Sequence, residues 1–368
     1  MNEIILKVPL VKDNYTEVAC RMYDVPPSEE SITIVKDNIE LPKEDWNIGL
    51  IFGASGCGKS TLLKKFGNVY NHHWDNRPII SNFGNISPED ATKVLCSVGL
   101  SSVPSWLRPY HCLSNGEKFR ADLGQAIVNS KEVTLIDEFT SVVDRNVAKS
   151  ASYSLQKYMR RAKKKVIVAS CHSDIIEWLN PDWVYNPTEG VTHYPRGLLQ
   201  RPKISLKIFR SKYEAWDLFK QHHYLTASLN KASRLFLASW EDRIVGCIAI
   251  LPFPNKFLKN AWRASRTVIL PDYQGLGLGI YLSDYFGSLI KAREGRFYSR
   301  TVHPAMISHR LRSGLWKETS RSRTTQSEYD QSCNTMWKVD AKRECYSFEY
   351  IGEASSYEDS RLFWETTT

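Results

Sequence analysis

Apolar residues fall along this chain in short runs separated by polar and glycine-rich breaks. Asn47–Phe52 (NIGLIF) reads as a buried strand, followed by GASGCGKS and a helix from Thr61. Val133–Ile136 is a second short apolar strand, ending in Asp137-Glu138. Val147–Arg161 carries apolar residues at helical spacing and runs into the basic cluster Lys163–Lys165, after which Val166–Ala169 is a third buried strand. Strands alternating with helices predict a parallel sheet.

Between 186 and 203 the breakers Asn186-Pro187, Tyr194-Pro195-Arg196-Gly197 and Arg201-Pro202-Lys203 mark a domain linker. The texture then changes. Phe236–Trp240 and Ile244–Leu251 flank Glu241-Asp242-Arg243 and predict a hairpin. Val268–Leu270 is a strand, followed by a glycine-rich turn and a helix from about Gly279 to Lys291. Strand Phe297–Thr301 and helix Ala305–Leu315 complete the series.

Composition narrows the classes. With 42% apolar and 24% charged residues over 368 positions the chain can bury ordinary cores, which excludes general disorder. No apolar run approaches the roughly 18 residues of a membrane span, and the N-terminus lacks a basic-then-apolar leader pattern. Its cysteines stand singly, with no CxxC pair, so a zinc site or disulfide scaffold is not expected and a reducing cytoplasm is.

The formal charge of +9 is uneven. Residues 1–200 hold 23 basic and 23 acidic side chains, 201–345 carry a net +13, and 346–368 carry −4. Two readings stay open for the basic half: a solvated face, or a polyanion partner whose phosphates exchange counterions for Lys and Arg.

Gly53-Ala54-Ser55-Gly56-Cys57-Gly58-Lys59-Ser60 fits GxxxxGK[ST], with a strand before it and a helix after it. Glycines let backbone N–H groups curl around phosphates, and the helix start adds positive potential. In that chemistry Lys59 reaches the β/γ-phosphates and Ser60 holds Mg²⁺. Asp137 is the expected second Mg²⁺ anchor and Glu138 is placed to polarise water. His172, just past Val166–Ala169, is a candidate γ-phosphate contact.

Leu113-Ser114-Asn115-Gly116-Glu117 precedes a helix about twenty residues before Asp137. Together these motifs, over about 30–190, resemble the ABC-type ATPases, whose signature loop, acidic strand end, D-loop (here Ser141–Asp144) and switch histidine match in order. The resemblance implies ATP held by Gly53, Ser55, Gly56, Cys57, Gly58, Lys59, Ser60 and Thr61. Ser114, Gly116 and Glu117 would close the ATP site of a second copy, which implies a homodimer. It also departs from the family: the signature reads SNGE, and no glutamine lies between Thr61 and Leu113.

Gln274-Gly275-Leu276-Gly277-Leu278-Gly279 after strand Val268-Ile269-Leu270 puts glycine-spaced amides at a helix start, fit for a diphosphate. A dinucleotide site is the competing idea, with Glu294 at roughly the required distance but in a helix-to-turn segment. The element order over 205–345 resembles the GNAT acyltransferases, which implies acetyl-CoA or a related acyl-CoA held by Val268, Ile269, Leu270 and Gln274 to Gly279, namely Gln274, Gly275, Leu276, Gly277, Leu278 and Gly279. No tyrosine lies in 305–320 to supply the family's usual leaving-group acid.

His222-His223-Tyr224, Ser265-Arg266 and Tyr298–Pro304 resemble the phage Mom-type DNA-modifying branch of that superfamily. The resemblance implies His223 and Tyr224 as a base-contacting or proton-transfer pair and Arg266 as a site residue. The alternative is a helix-end cluster with Arg266 as a phosphate or carboxylate clamp.

The expected fold class is thus α/β: an ABC-type P-loop ATPase domain (1–200), a GNAT α+β acyltransferase domain (201–345) and an acidic tail (346–368). The expected function is acyl transfer to the adenine amine of DNA with the ATPase as loader or clamp. RNA, a protein or small amine as acceptor, and a non-enzymatic ATP-gated clamp are the alternatives.

Overall fold

The computed structural model describes residues 2–23, 29–84, 86–200, 202–223, 228–254, 258–324 and 343–365. In chain order its elements are β1 (Glu3–Pro9), α1 (Asn14–Met22), β2 (Glu30–Lys36), β3 (Ile48–Phe52), α2 (Lys59–Leu63), α3 (Pro88–Ser97) and α4 (Val103–Trp106). Next come α5 (Asn115–Asn129), β4 (Val133–Ile136), α6 (Arg145–Ala162), β5 (Lys165–Ser170), α7 (Ile176–Leu179), β6 (Trp183–Asn186) and β7 (Val191–His193). The remainder holds β8 (Lys207–Ser211), β9 (Arg234–Trp240), β10 (Arg243–Pro252), β11 (Ala261–Ile269), α8 (Leu278–Lys291), β12 (Arg296–Thr301), α9 (Pro304–Arg312), β13 (Trp316–Thr324), β14 (Arg343–Tyr350) and α10 (Arg361–Trp364).

These elements form two compact units. One comprises residues 1–72 and 125–202, the other 73–124 and 203–368. The division differs from the expected contiguous domains 1–200 and 201–345 in grouping 73–124 with 203–368. The segment His73–Gly124 groups with 203–368, a long-range association that periodicity along the chain cannot report.

The first unit is built on the strand order β4-β5-β3-β6-β7, parallel except for β7. The apolar runs at 47–52 and 166–169 fall in the interior strands β3 and β5, which are almost wholly buried, and the run at 133–136 is the edge strand β4, with Thr134 and Leu135 buried. Leu62, Leu63, Ile51, Ile167 and Trp183 share its core. Asp182, almost fully buried, accepts from the N–H groups of Asn47 and Ile48 at 2.8 and 2.9 Å and pairs with Arg160 at 2.9 Å. It thereby anchors the start of β3. Strands β1 and β2 form a separate antiparallel pair.

The second unit holds a seven-stranded sheet, β13-β14-β12-β11-β10-β9-β8, antiparallel except for the β11–β12 pair. The expected hairpin is β9–β10. Its turn residues Glu241 and Asp242 both take positive φ, 49° and 59°, the twist that matches a two-residue hairpin loop. Helix α8 covers the sheet through Phe286, Leu289 and Ile290, packed with Phe236, Ile248, Phe297 and Phe348.

Within the segment expected as an acidic tail, Phe348, Tyr350 and Phe363 belong to this core. Tyr346, Phe348 and Tyr350 alternate along β14, Phe348 and Phe363 are fully buried, and a Cβ on Gly287 of α8 would stand 2.5 Å from the Tyr350 ring. The acidic residues sit between these aromatics as surface partners: Glu349 holds Arg296 at 2.6 Å and Glu365 holds Arg293 at 2.8 Å. Net charge counted along the segment conceals that alternation. Among the described residues no helix is long and apolar enough to cross a membrane.

Candidate functional site

Parallel strands β4, β5 and β3 lie side by side, so their C-terminal ends share one edge of the sheet. That edge carries the glycine loop after β3, Asp137-Glu138 after β4 and His172 after β5. In open α/β sheets ligands bind at this edge. The loop turns through Gly56 and Gly58, with φ of 81° and 91°. Gly58 also lies against β2, since a Cβ there would stand 2.4 Å from Val35 Cγ2. Lys59 arcs back over the loop and donates from Nζ to the carbonyls of Gly53 (2.9 Å) and Ala54 (2.7 Å).

Ser55, Gly56 and Ser60 are exposed, and Thr61 is half-buried in α2. Cys57 is half-buried with its sulfur under Gly53, where a Cβ would come within 2.8 Å of Sγ. It is therefore a packing residue of the loop. A Cβ on Gly56 would meet nothing within 4 Å, so the loop leaves room on its outer side, and the residues present fit a triphosphate.

Asp137 is half-buried and accepts the N–H of Glu138 at 2.9 Å; Glu138 is exposed and takes φ 47°. The Ser170 hydroxyl donates to Phe139 O (2.9 Å) and accepts from His172 N (3.2 Å). It ties the backbone of His172 to that of Phe139, just past Asp137 and Glu138. In the D-loop, Asp144 caps α6 by accepting from Asn146 N at 2.8 Å.

The signature residues lie in the second unit. Ser114 is exposed and Gly116 half-buried at the start of α5. Glu117 is buried and bonded within the protein. One carboxylate oxygen accepts from the Ser105 hydroxyl at 2.5 Å and the other from Ser114 N at 2.9 Å. Burial opposes its charge, but these bonds outweigh burial and hold the carboxyl below its usual range. The S-x-x-E spacing that reads as a signature is therefore also a helix capping box.

The second candidate site opens between β11 and β12. These parallel strands pair only over Ala261–Ala264 and Arg296–Ser299. β11 continues along β10 to Ile269, past a bulge opposite Ala249/Ile250, while β12 continues along β14 to Thr301. Among the described residues the β11–β12 ladder ends at Ala264↔Ser299, and the two strands part there. A bulge beside such an opening is the usual device for splaying a strand.

Beyond Ile269 the chain passes through Pro271–Tyr273 to Gly275 (φ 92°) and Gly277 (φ 84°), the N-cap of the fourteen-residue helix α8. A Cβ on Gly277 would meet nothing within 4 Å, and one on Gly279 only Ile269 and Thr267 at ordinary contact distance. Leu276, Leu278 and Val268 are buried as anchors, and Ile269, Leu270, Gly275, Gly277 and Gly279 stay half-buried. The turn has open space beside Gly277 at the start of a helix, which leaves room for a diphosphate.

Gln274 is nearly buried and acts on the protein itself. Its Nε2 donates to Ile269 O at 3.0 Å and its Oε1 accepts from Ser101 N at 2.8 Å. Arg120 of α5, fully buried, donates from Nη1 to Pro271 O at 2.7 Å and from Nη2 to Asp272 O at 3.2 Å. Neither contact was legible from the sequence, because Ser101 and Arg120 lie more than 150 positions from their partners.

Of His223, Tyr224 and Arg266, the first and last lie close enough for the Arg266 charge to act on His223, and Tyr224 lies outside the described residues. Burial, with the Arg266 charge adding to it, pushes His223 down to about 4. Arg266 donates to Ser265 O at 2.9 Å and Ser228 O at 3.2 Å. His223 is therefore neutral at pH 7 and a weak base. His222 is also lowered, chiefly by burial, and feels Glu117, Arg108 and Asp272. His303, at the end of β12, has a buried Nδ1 with no hydrogen-bond partner, and burial lowers it, partly offset by the Ser101 backbone.

Residues 199–286 match the model of the Acetyltransferase (GNAT) family. The chain is 23% identical over 235 residues to the lipoprotein-releasing system ATP-binding protein LolD of Rickettsia prowazekii (strain Madrid E), covering 52% of this chain and 98% of that protein. Among solved structures, a dimeric bacterial ABC transporter cassette aligns at 17% identity and TM-score 0.36 over 45% of this chain and 93% of its own. The IAA acetyltransferase from Bacillus cereus ATCC 14579 aligns at 13% identity and TM-score 0.31, over 40% and 99% respectively.

Proposed function

We propose that this chain is an acyl-CoA-dependent N-acyltransferase that also binds ATP and Mg²⁺, and that its acceptor is nucleic acid, the adenine amine of DNA first. The observation that carries the proposal is the parting of β11 and β12 above the open glycine turn at the start of α8. β11 and the glycine turn lie within the segment 199–286 matched by the GNAT family model, and β12 lies beyond it. Acetyl-CoA would supply the activated acyl group. The backbone of Ser265–Ile269, past the last β12 pairing, would hold its extended arm, and the amides of Gly275 to Gly279 its diphosphate.

In the ATP half, Lys59 and the loop amides would hold the phosphates, Ser60 and Asp137 the Mg²⁺, and Glu138 would orient water. Ser114 and Gly116 would face the nucleotide of a second copy, giving a homodimer. Support for a polyanion acceptor comes from the net +13 over residues 201–345. An adenine amine is a poor nucleophile, since its lone pair is delocalised into the ring, and it must leave the stack to react. Neutral His223 beside the fixed guanidinium of Arg266 would orient such a base by hydrogen bonding.

The test is CoA release by the purified full chain with ATP, Mg²⁺ and acetyl-CoA, comparing DNA, tRNA and a lysine-rich peptide at two salt concentrations. DNA-stimulated release that weakens with salt is expected. Stimulation by tRNA or peptide alone would reassign the acceptor, and CoA release that no acceptor changes would overturn the nucleic-acid reading.

A further inference from the structure

The segment His73–Gly124 reaches the glycine turn at two points. Ser101 N bonds Gln274, which in turn bonds Ile269 O, and Arg120 bonds the carbonyls of Pro271 and Asp272. Residues 269–274, the lead-in to the turn, are thus held from outside their own strand and helix. Arg120 stands one helical turn after Glu117, on the helix that opens with Ser114 and Gly116. Both the Glu117 and Asp272 carboxylates act on its guanidinium, which burial lowers to about 10.

A fully buried guanidinium is costly unless its partners are well placed. An apolar side chain would fill the same space without that cost, so the donors are the distinguishing property of this position. Two fixed carbonyls fit a planar fork of N–H groups better than they fit an ammonium.

We infer that Arg120 is a positioning residue for the acyl-CoA turn, and that through it nucleotide at Ser114 and Gly116 tightens acyl-CoA binding. The inference rests on the ATP and acyl-CoA sites proposed above. A helix is stiff along its axis, so ordering its first turn orders the position of Arg120 one turn later. Ordering Pro271 and Asp272 before acyl-CoA arrives removes part of the entropic cost of forming the cradle. Hydrogen bonds weaken steeply with distance and angle, so a displacement of about an ångström at Arg120 would release the turn.

Linkage makes the effect reciprocal: the factor by which nucleotide tightens CoA must equal the factor by which CoA tightens nucleotide. The experiment is calorimetric titration of the full chain. CoA is titrated with and without saturating non-hydrolysable ATP analogue and Mg²⁺, and the analogue with and without saturating CoA. A tightening of about fivefold or more, equal in both directions, is expected. Arg120→Lys should bring that factor close to one while both ligands still bind. Should Arg120→Lys fail to fold, Ser101→Pro removes the donor to Gln274 and should reduce the factor.

Binding of both ligands with a factor of one in the unaltered chain overturns the coupling and leaves the proposed function standing. A factor that stays unchanged in the variants overturns the role of Arg120. Absence of CoA binding altogether overturns the underlying reading instead.

Discussion

Ser114 and Glu117 bond each other reciprocally across the first turn of α5: Ser114 N donates to Glu117 Oε2 at 2.9 Å, and Glu117 N to Ser114 Oγ at 3.3 Å. The Ser105 hydroxyl takes the remaining carboxylate oxygen. The sequence that resembles a nucleotide signature is thus also what starts the helix.

Glu117→Ala should cost about 2 kcal/mol, combining a lost cap with an unsatisfied buried hydroxyl. A lower urea midpoint would report it. Because the folded carboxyl lies below its ordinary value of 4.5, its contribution is complete above that pH and is lost as pH falls through the folded value. Glu117→Gln should lose the acid-dependent part of that loss. A variant whose stability falls with pH as steeply as the unaltered chain would contradict the assignment.

Gly277 caps α8 at φ 84° with open space where a Cβ would go. Gly277→Ala should therefore cost only about 1 kcal/mol of stability from left-handed backbone. Gly277→Glu adds bulk and negative charge to the diphosphate seat and should raise the KM for acetyl-CoA at least tenfold. An unchanged KM in Gly277→Glu would remove the turn from the acyl-CoA site.

Lys59 lies over the carbonyls of Gly53 and Ala54 in the first unit. Lys59→Ala should abolish ATP binding in a nucleotide titration while CoA still binds in the absence of nucleotide. Loss of both affinities together would mean that the two sites are not separate.

His223, held near 4 against an ordinary 6.5, stays neutral in the folded chain while the unfolded chain takes up a proton. Its depressed value gives stability that is present above about pH 6.5 and lost as pH falls towards 4. Replacing it by Gln should flatten the pH dependence of the melting temperature across that window. Equal slopes for the two proteins would show that His223 is not buried as described.

The central strands, the phosphate loop, the hairpin and α8 were legible because each rests on local patterning: apolar runs, glycine spacing and a helical period. Val147–Arg161 and Gly279–Lys291 as read from the sequence lie within one or two residues of α6 and α8. The assignment of residues 73–124 was not legible, since it depends on Ser101 meeting Gln274 and Arg120 meeting Pro271, pairings no local period encodes. Likewise, the acidic residues after 345 masked the alternation of Tyr346, Phe348 and Tyr350. At the candidate sites residue types were readable but their protein contacts were not: Gln274 and Glu117 bond the protein's own backbone and hydroxyls.

Nucleoside mass spectrometry of DNA and RNA from cells producing the unaltered chain or Gly277→Glu tests the account most directly. An acyl-derived mass increment on deoxyadenosine is predicted with the unaltered chain and not with the variant. Unmodified DNA nucleosides beside a chain that binds both ATP and acetyl-CoA would contradict it.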